Sequence, residues 1–169
     1  MNKYESHVFV IPEDDANRQI AEGFVEYHEV NHLRIRVMPV AGGWANVLVT
    51  FQNEYVRTLR NFGKAHIVML IDFDDQVEQR RARFEEEIPE DVKTRVFVIG
   101  SKYTPEALKK SMKIAFEKIG ESLAGDCRAD TAENWSHEQL EHNETERQRL
   151  VETVKPFLFG MGLPGQVHG

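Results

Sequence analysis

Two short acidic clusters hold the residues best suited to chemistry, Glu13-Asp14-Asp15 and Asp72-Phe73-Asp74-Asp75. Each follows directly on an apolar, β-prone run, His7-Val8-Phe9-Val10-Ile11 in the first case and Ile67-Val68-Met69-Leu70-Ile71 in the second. A buried strand that ends in acid places that acid at the rim of a sheet, and open α/β sheets bind their ligands outside the carboxyl ends of the strands. Alternation along an extended chain puts Asp72 and Asp74 on the same face. If the two strands are neighbours the clusters converge, and like charges in a partly desolvated crevice repel by several kcal/mol. A divalent cation is the natural compensation, and oxygen ligands from Asp and Glu suit Mg²⁺ or Mn²⁺ better than zinc. Glu13, Asp14, Asp72, Asp74 and Asp75 are therefore the candidate metal ligands.

The elements that must position these acids can be read from periodicity. After Pro12 the acidic turn caps a helix in which Ile20, Phe24 and Tyr27 fall at helical spacing. His32 to Val40 alternates Leu33, Ile35 and Val37 with polar residues and predicts a second strand near a sheet edge. Ala41-Gly42-Gly43 lets the chain turn sharply, and Val47, Phe51, Tyr55, Leu59 and Phe62 then predict a helix that stops at Gly63. The third strand, Ile67 to Ile71, leads into a very polar helix whose charged surface from Glu78 to Glu87 reads as a solvated face. Arg95 to Ile99 is a fourth strand, and Thr104-Pro105-Glu106 starts a helix carried by Leu108, Met112, Ala115, Ile119 and Leu123 to Gly125. Ser136 with Gln139 forms a capping box for a last helix bearing Leu140, Leu150, Val151, Val154 and Leu158. The expectation is an α/β fold, a mainly parallel four-stranded sheet with helices on both faces and a C-terminal helix. In this division residues 1–125 form the α/β domain, 126–159 a helical extension packed on it and 160–169 a glycine-rich frayed tail.

Composition narrows the classes of function. With 41% hydrophobic and 29% charged residues in 169, the chain has the make-up of one globular domain. No apolar run is long enough for a membrane span and the first residues lack a signal-peptide core, so a cytoplasmic protein is expected. The single cysteine, Cys127, has no internal disulfide partner and fits a reducing compartment as a small buried residue. A net charge of −7 argues against strong unaided binding to a phosphate backbone, though not against a nucleic-acid enzyme that uses metal ions or a partner.

The order of these features, a strand followed by Glu13, a second strand ending in Gly42-Gly43 and a third ending in Asp72-Phe73-Asp74, resembles the TOPRIM domain. That family comprises topoisomerases, primases and the nucleases of the overcoming-lysogenization-defect (OLD) group. Val37 to Gly43 is similar to its second-strand segment, and Phe97-Val98-Ile99-Gly100 with Thr104 to Leu108 resembles the fourth strand and helix of the nuclease relatives. The resemblance covers roughly residues 7 to 125. It implies that Glu13, as ligand or general base, works with Asp72 and Asp74 to bind Mg²⁺ or Mn²⁺ and to cleave or transfer phosphoryl groups on nucleic acid. Asp75 or Asp14 would serve a second metal, and Lys102 would stabilise developing charge on phosphorus. Family members commonly carry glycine where Asp14 stands and an acid where Asn17 stands.

Two other readings use the same acids. A degenerate, non-catalytic TOPRIM-like domain would bind a protein partner such as a separately encoded ATPase. A response-regulator receiver would use Ser101 after the fourth strand and Lys155-Pro156 after a fifth. His137 and His142, five apart, do not share a helix face as metal ligands would, Trp44 is a candidate for base stacking, and neither a P-loop nor a Ser-His-Asp order is present.

Overall fold

The β-branched runs form strands and the intervening amphipathic segments form helices in a computed structural model that describes residues 1–160. The elements are β1 (His7–Pro12), α1 (Asp15–Glu26), β2 (Ile35–Val37), α2 (Trp44–Thr50), a π-helical turn (Phe51–Tyr55), α3 (Val56–Asn61), β3 (Ala65–Leu70), α4 (Val77–Glu87), a 3-10 turn (Glu90–Arg95) and β4 (Val96–Ile99). They continue with α5 (Pro105–Met112), α6 (Phe116–Ala129), a 3-10 turn (Glu141–Asn143) and α7 (Glu144–Leu158). All strand pairings are parallel, in the order β2-β1-β3-β4, so the expected α/β sheet is present. β1 and β3 lie side by side with Ile11 opposite Met69 and Pro12 opposite Leu70, which brings both acidic clusters to one rim.

The pleat sorts the core into two layers. Val8, Val10, Val68, Phe97 and Ile99 face α1, α5, α6 and α7, where Ile20, Leu108, Ile119, Leu123, Leu150, Val154 and Leu158 close the packing. Phe9, Ile11, Ile67, Met69, Val96 and Val98 face the other way, onto Val47, Phe51, Leu59 and Phe84 of α2 to α4. The close approach of α1 to α6 requires glycine at two points. A Cβ on Gly23 would lie 2.0 Å from the Glu117 carbonyl oxygen, and one on Gly120 would lie 1.9 Å from that of Ile20.

Several boundaries differ from those the sequence predicts, each for a local reason. The second strand is only Ile35–Val37: before it the Arg34 N–H turns back to Asn31, and after Met38, whose N–H still bonds Val10 of β1, the next bond to β1 runs from Ala41 to Pro12 across Pro39, which has no N–H to give. The helix after the glycine turn is interrupted by the π-helical turn at Phe51–Tyr55. The single helix expected from Thr104 to Gly125 is two helices, since Lys113 adopts a left-handed conformation (φ 60°) and Ala115 is extended. Gly125 does not end the second of them. It lies inside α6, which crosses the expected domain boundary and stops at Asp130. The Ser136 and Gln139 capping box does not form: the Ser136 hydroxyl donates to the Glu133 carbonyl, Gln139 is buried, and α7 begins only at Glu144. Apart from Gly160, the glycine-rich tail lies outside the described residues. No helix among the described residues is long and apolar enough to cross a membrane.

β4 is an edge strand, and its outer backbone groups are taken by side chains instead of another strand. The Asn143 amide pairs with both the N–H and the C=O of Gly100, at 3.2 and 2.9 Å. Glu146 accepts from the Val98 N–H at 2.8 Å, and Arg81 and Arg149 donate to the Val98 and Val96 carbonyls at 2.7 and 3.3 Å. An unpaired edge is a template for aggregation, and here α4 and α7 close it.

Candidate metal centre

The ends of β1 and β3 deliver the site. Glu13 follows β1 directly, and its backbone carbonyl accepts from both the Gly42 and Gly43 N–H groups at 2.9 and 3.1 Å. Those glycines have φ of 88° and 118°, which only glycine adopts without strain, so the glycine turn fixes the backbone that carries Glu13. Asp14 is the N-cap of α1 and accepts from the Asn17 N–H at 2.9 Å. Asp72 follows β3, and its own N–H donates to Glu13 Oε1 at 2.8 Å. One carboxylate oxygen from each of Glu13, Asp14 and Asp72 lies within 4.8 Å of the other two.

Asn17 ties the group together. Its buried side-chain amide donates to Asp14 Oδ1 at 3.0 Å and to Asp72 Oδ1 at 2.8 Å. With the Asp72 N–H on Glu13 Oε1, each of the three carboxylates thus uses one oxygen for a protein donor, while Glu13 Oε2, Asp14 Oδ2 and Asp72 Oδ2 accept from no donor among the described residues. Glu13 and Asp72 are only 8% and 6% exposed, so water does little to stabilise their charge. Burial raises the Glu13 pKa against the Asp72 N–H bond that lowers it. Asp72 is pushed up to about 8, first by burial, opposed by the Asn17 bond and then reinforced by Glu13, Asp14 and Asp74. The buried acidic group is suited to hold a metal ion: its donors are all oxygen, it concentrates negative charge, and three oxygens remain open.

The other expected site residues stand differently. Asp74 is not drawn into the group; its Oδ2 accepts from Arg80 at 2.7 Å, and the same guanidinium nitrogen donates to the Asp72 carbonyl at 2.9 Å. Asp74 and Asp75 are exposed and have left-handed backbones, with φ of 48° and 59°, so the strand alternation that would aim Asp74 beside Asp72 has already ended. Their N–H groups donate to the Tyr103 and Lys102 carbonyls at 3.2 and 2.7 Å. Lys102 is half-buried beside this loop, its ammonium 5.2 Å from the centre of the Tyr103 ring.

Arg80 is the residue the sequence reading missed. It sits within a charged run yet is 9% exposed, with its guanidinium 4.5 Å above the Trp44 ring. Only its position four residues before buried Phe84 on α4 hinted at an inward face. Trp44 is half-buried and committed to that cation and to the Phe84 ring. Lys155-Pro156 lies inside α7, so the fifth strand that a receiver requires is not among the described residues. His142 packs edge-on against Phe73, while His137 bonds Ser111. Comparison with protein-family models, with curated proteins and with solved structures yields no match for this chain.

Proposed function

We propose that this protein is a metal-dependent phosphoryl-transfer enzyme acting on nucleic acid, a nuclease-like relative of the TOPRIM proteins. Mg²⁺ or Mn²⁺ would be held by Glu13, Asp14 and Asp72. The observation that carries the reading is the trio of carboxylates, two buried and one half-buried, each with one oxygen fixed by a protein donor and one left open. Burial already favours the proton on Asp72, and ionising all three this close would cost about 3 kcal/mol per pair at an effective dielectric constant of about 20, while among the described residues no side-chain cation bonds to them. A hard divalent ion relieves that repulsion, and when bound it polarises a phosphoryl oxygen and acidifies water.

The chain's own residues divide the remaining work. Glu13, with a raised pKa and a free Oε2, is placed to ligate or to take a proton from water. Asn17 and the Asp72 N–H hold the carboxylates in one arrangement before any ligand arrives. Arg80 withdraws Asp74 from the group and leaves three carboxylates where the Asp-x-Asp pattern suggested four or five. That withdrawal, with Asn17 in an acid's place, favours a single cation and keeps a second reading in view, a non-catalytic domain that binds a protein partner.

Thermal unfolding separates the two when combined with an activity assay. Saturating Mn²⁺ or Mg²⁺, at about a hundredfold over the dissociation constant, should raise the wild-type midpoint by roughly 5 to 10 °C. Glu13→Gln and Asp72→Asn should each abolish the rise, and both should abolish metal-dependent nicking of plasmid DNA or cleavage of RNA. A metal-dependent rise without cleavage of either substrate supports the non-catalytic reading. Cleavage that survives both substitutions would falsify the assignment of roles.

A further inference from the structure

We propose that the outer surface of the β4–α5–α6 connection is a track for single-stranded nucleic acid leading to the acidic rim, an inference that rests on the phosphoryl-transfer reading. Residues 102–118 carry five lysines, Lys102, Lys109, Lys110, Lys113 and Lys118, against two acids, Glu106 and Glu117, in a chain whose net charge is −7. Their placement is not diffuse. Pro105 and Leu108 turn α5 toward the core, and the spacing of Glu106, Lys109, Lys110 and Lys113 lines the opposite, exposed side. Many basic side chains elsewhere are engaged in salt bridges, among them Arg18, Arg34, Arg60, Arg128, Arg147 and Lys155. Lys102, Lys109, Lys110 and Lys113 form no salt bridge among the described residues; the Lys102 and Lys109 ammonium groups lie 5.2 and 4.8 Å from the Tyr103 and Phe116 ring centres, contacts that leave their charge uncompensated by any acid.

Position and shape favour a nucleic-acid strand over free anions. The surface begins at the acidic loop, because the Asp74 and Asp75 N–H groups are bonded to the Tyr103 and Lys102 carbonyls. From there Thr104 caps α5 and carries the lysines away from the rim. A shallow, open depression of about 540 Å³ on this side is lined by Lys109, Lys110 and Lys113 together with Glu106, Ile114 and Phe116. A row of ammonium groups beside apolar and aromatic surface suits phosphates on one side and bases on the other, the pairing that single-strand binders use. Tyr103, 39% exposed at the rim end with the Lys102 ammonium over one side of its ring, offers the other side to the base nearest the acidic rim.

The test is fluorescence anisotropy with a labelled oligo-dT at several salt concentrations and without divalent metal. Wild type should bind, and Lys109→Gln with Lys110→Gln should weaken binding at least tenfold. Losing two phosphate contacts should also flatten the plot of log affinity against log salt by about 1.4. Arg57→Gln with Lys64→Gln removes the same charge from exposed positions near the far end of β3 and should change nothing. Tyr103→Ala should weaken binding several-fold without altering the salt slope. Equal losses in both double variants, no oligo-dT binding by wild type, or duplex bound as tightly as single strand would each overturn the proposal. The metal-induced rise in melting temperature, read on the same double variants, is independent of the track. Strand binding with no rise in any protein sinks the metal-centre reading alone, whereas a full rise without strand binding sinks the track alone.

Discussion

The rim of β1 and β3 and the outer edge of β4 both bury charged groups, and they treat them in opposite ways. At β4 the outer backbone groups meet side-chain partners: Asn143 spans the Gly100 N–H and C=O, Glu146 takes the Val98 N–H, and Arg81 and Arg149 donate to carbonyls, while the Ser101 hydroxyl and His142 Nε2 beside them stay unpaired among the described residues. At the acidic rim Glu13 and Asp72 are buried too, yet they face each other and Asp14 with only amide donors between them. The nearest guanidinium, Arg80, is bonded to Asp74 and to a backbone carbonyl. A chain that pairs its outer backbone groups and charges at one edge, and leaves three carboxylate oxygens without a protein donor at another, gives up stability at the second and leaves it suited to hold a cation.

The largest effect should come from breaking the satisfied side. Asn143→Leu strips partners from the Gly100 N–H and C=O and from the Leu140 carbonyl, all in a position with no solvent exposure. Two or three stranded backbone groups should cost about 3 kcal/mol, read as a lower urea midpoint. The Mn²⁺-induced rise should persist in the folded fraction, because Asn143 does not touch the acids. A loss under about 1 kcal/mol would mean that water substitutes for the amide and that the edge is less dry than its geometry implies.

At the acidic rim the sign should reverse. Asp72→Asn keeps the shape and the acceptor for Asn17 but removes a charge that burial disfavours, so the metal-free protein should gain about 1 to 2 kcal/mol at pH 8. The same substitution should erase the metal response. A variant that is both less stable and metal-blind would show instead that Asp72 is a structural acid.

The pH dependence follows from the direction of the shift. Asp72 titrates near 3.8 when unfolded and near 8 when folded, so between those values the folded state holds a proton that the unfolded state has lost. This group's contribution to metal-free stability is therefore full below about pH 4, falls as pH rises, and is gone above about pH 8. Glu13, also raised, acts in the same sense. Metal must displace those protons, so its affinity should climb across the same window. Melting curves at pH 5, 6.5 and 8, with and without Mn²⁺, should converge at the acid end and separate at the alkaline end. Curves separated equally at all three values would place the metal on groups that are already ionised.

Much of this was legible in the residues, and the failures have physical causes. Strand identity and the meeting of Glu13 with Asp72 follow from apolar runs that end in acid on neighbouring parallel strands. The glycine turn was readable because Gly42 and Gly43 need positive φ. The break between α5 and α6 was not, since apolar residues keep helical spacing through Met112, Ala115 and Ile119 while the turn is made by a left-handed lysine without a glycine to mark it. The false capping box had the right residues, but the chain there makes successive turns, with Ser136 bonded back to Glu133 and the helix starting only at Glu144, so no helix stands at Ser136 to be capped. Arg80 was hidden because a charged run on a polar helix reads as solvated, and only the tertiary contact with Trp44 and the β3 loop turns it inward.

The smallest expected effect tests where the Asp-x-Asp pattern stops being a pair. Asp74→Asn breaks an ion pair whose acid is 45% exposed, so solvent screening limits the cost to about 0.5 kcal/mol. Arg80 keeps its bond to the Asp72 carbonyl and its place over Trp44, so the frame of the site survives. The Mn²⁺-induced rise should then remain within about 1 °C of wild type, in contrast to its loss in Asp72→Asn. If the rise vanishes in both variants, Asp74 must leave Arg80 to reach the cation, and Arg80→Met, which frees Asp74 in advance, should then tighten metal binding several-fold. A pair of acids two residues apart would in that case be split by an arginine only until metal arrives, and Arg80 would act as a competitor for the ligand instead of a permanent clamp.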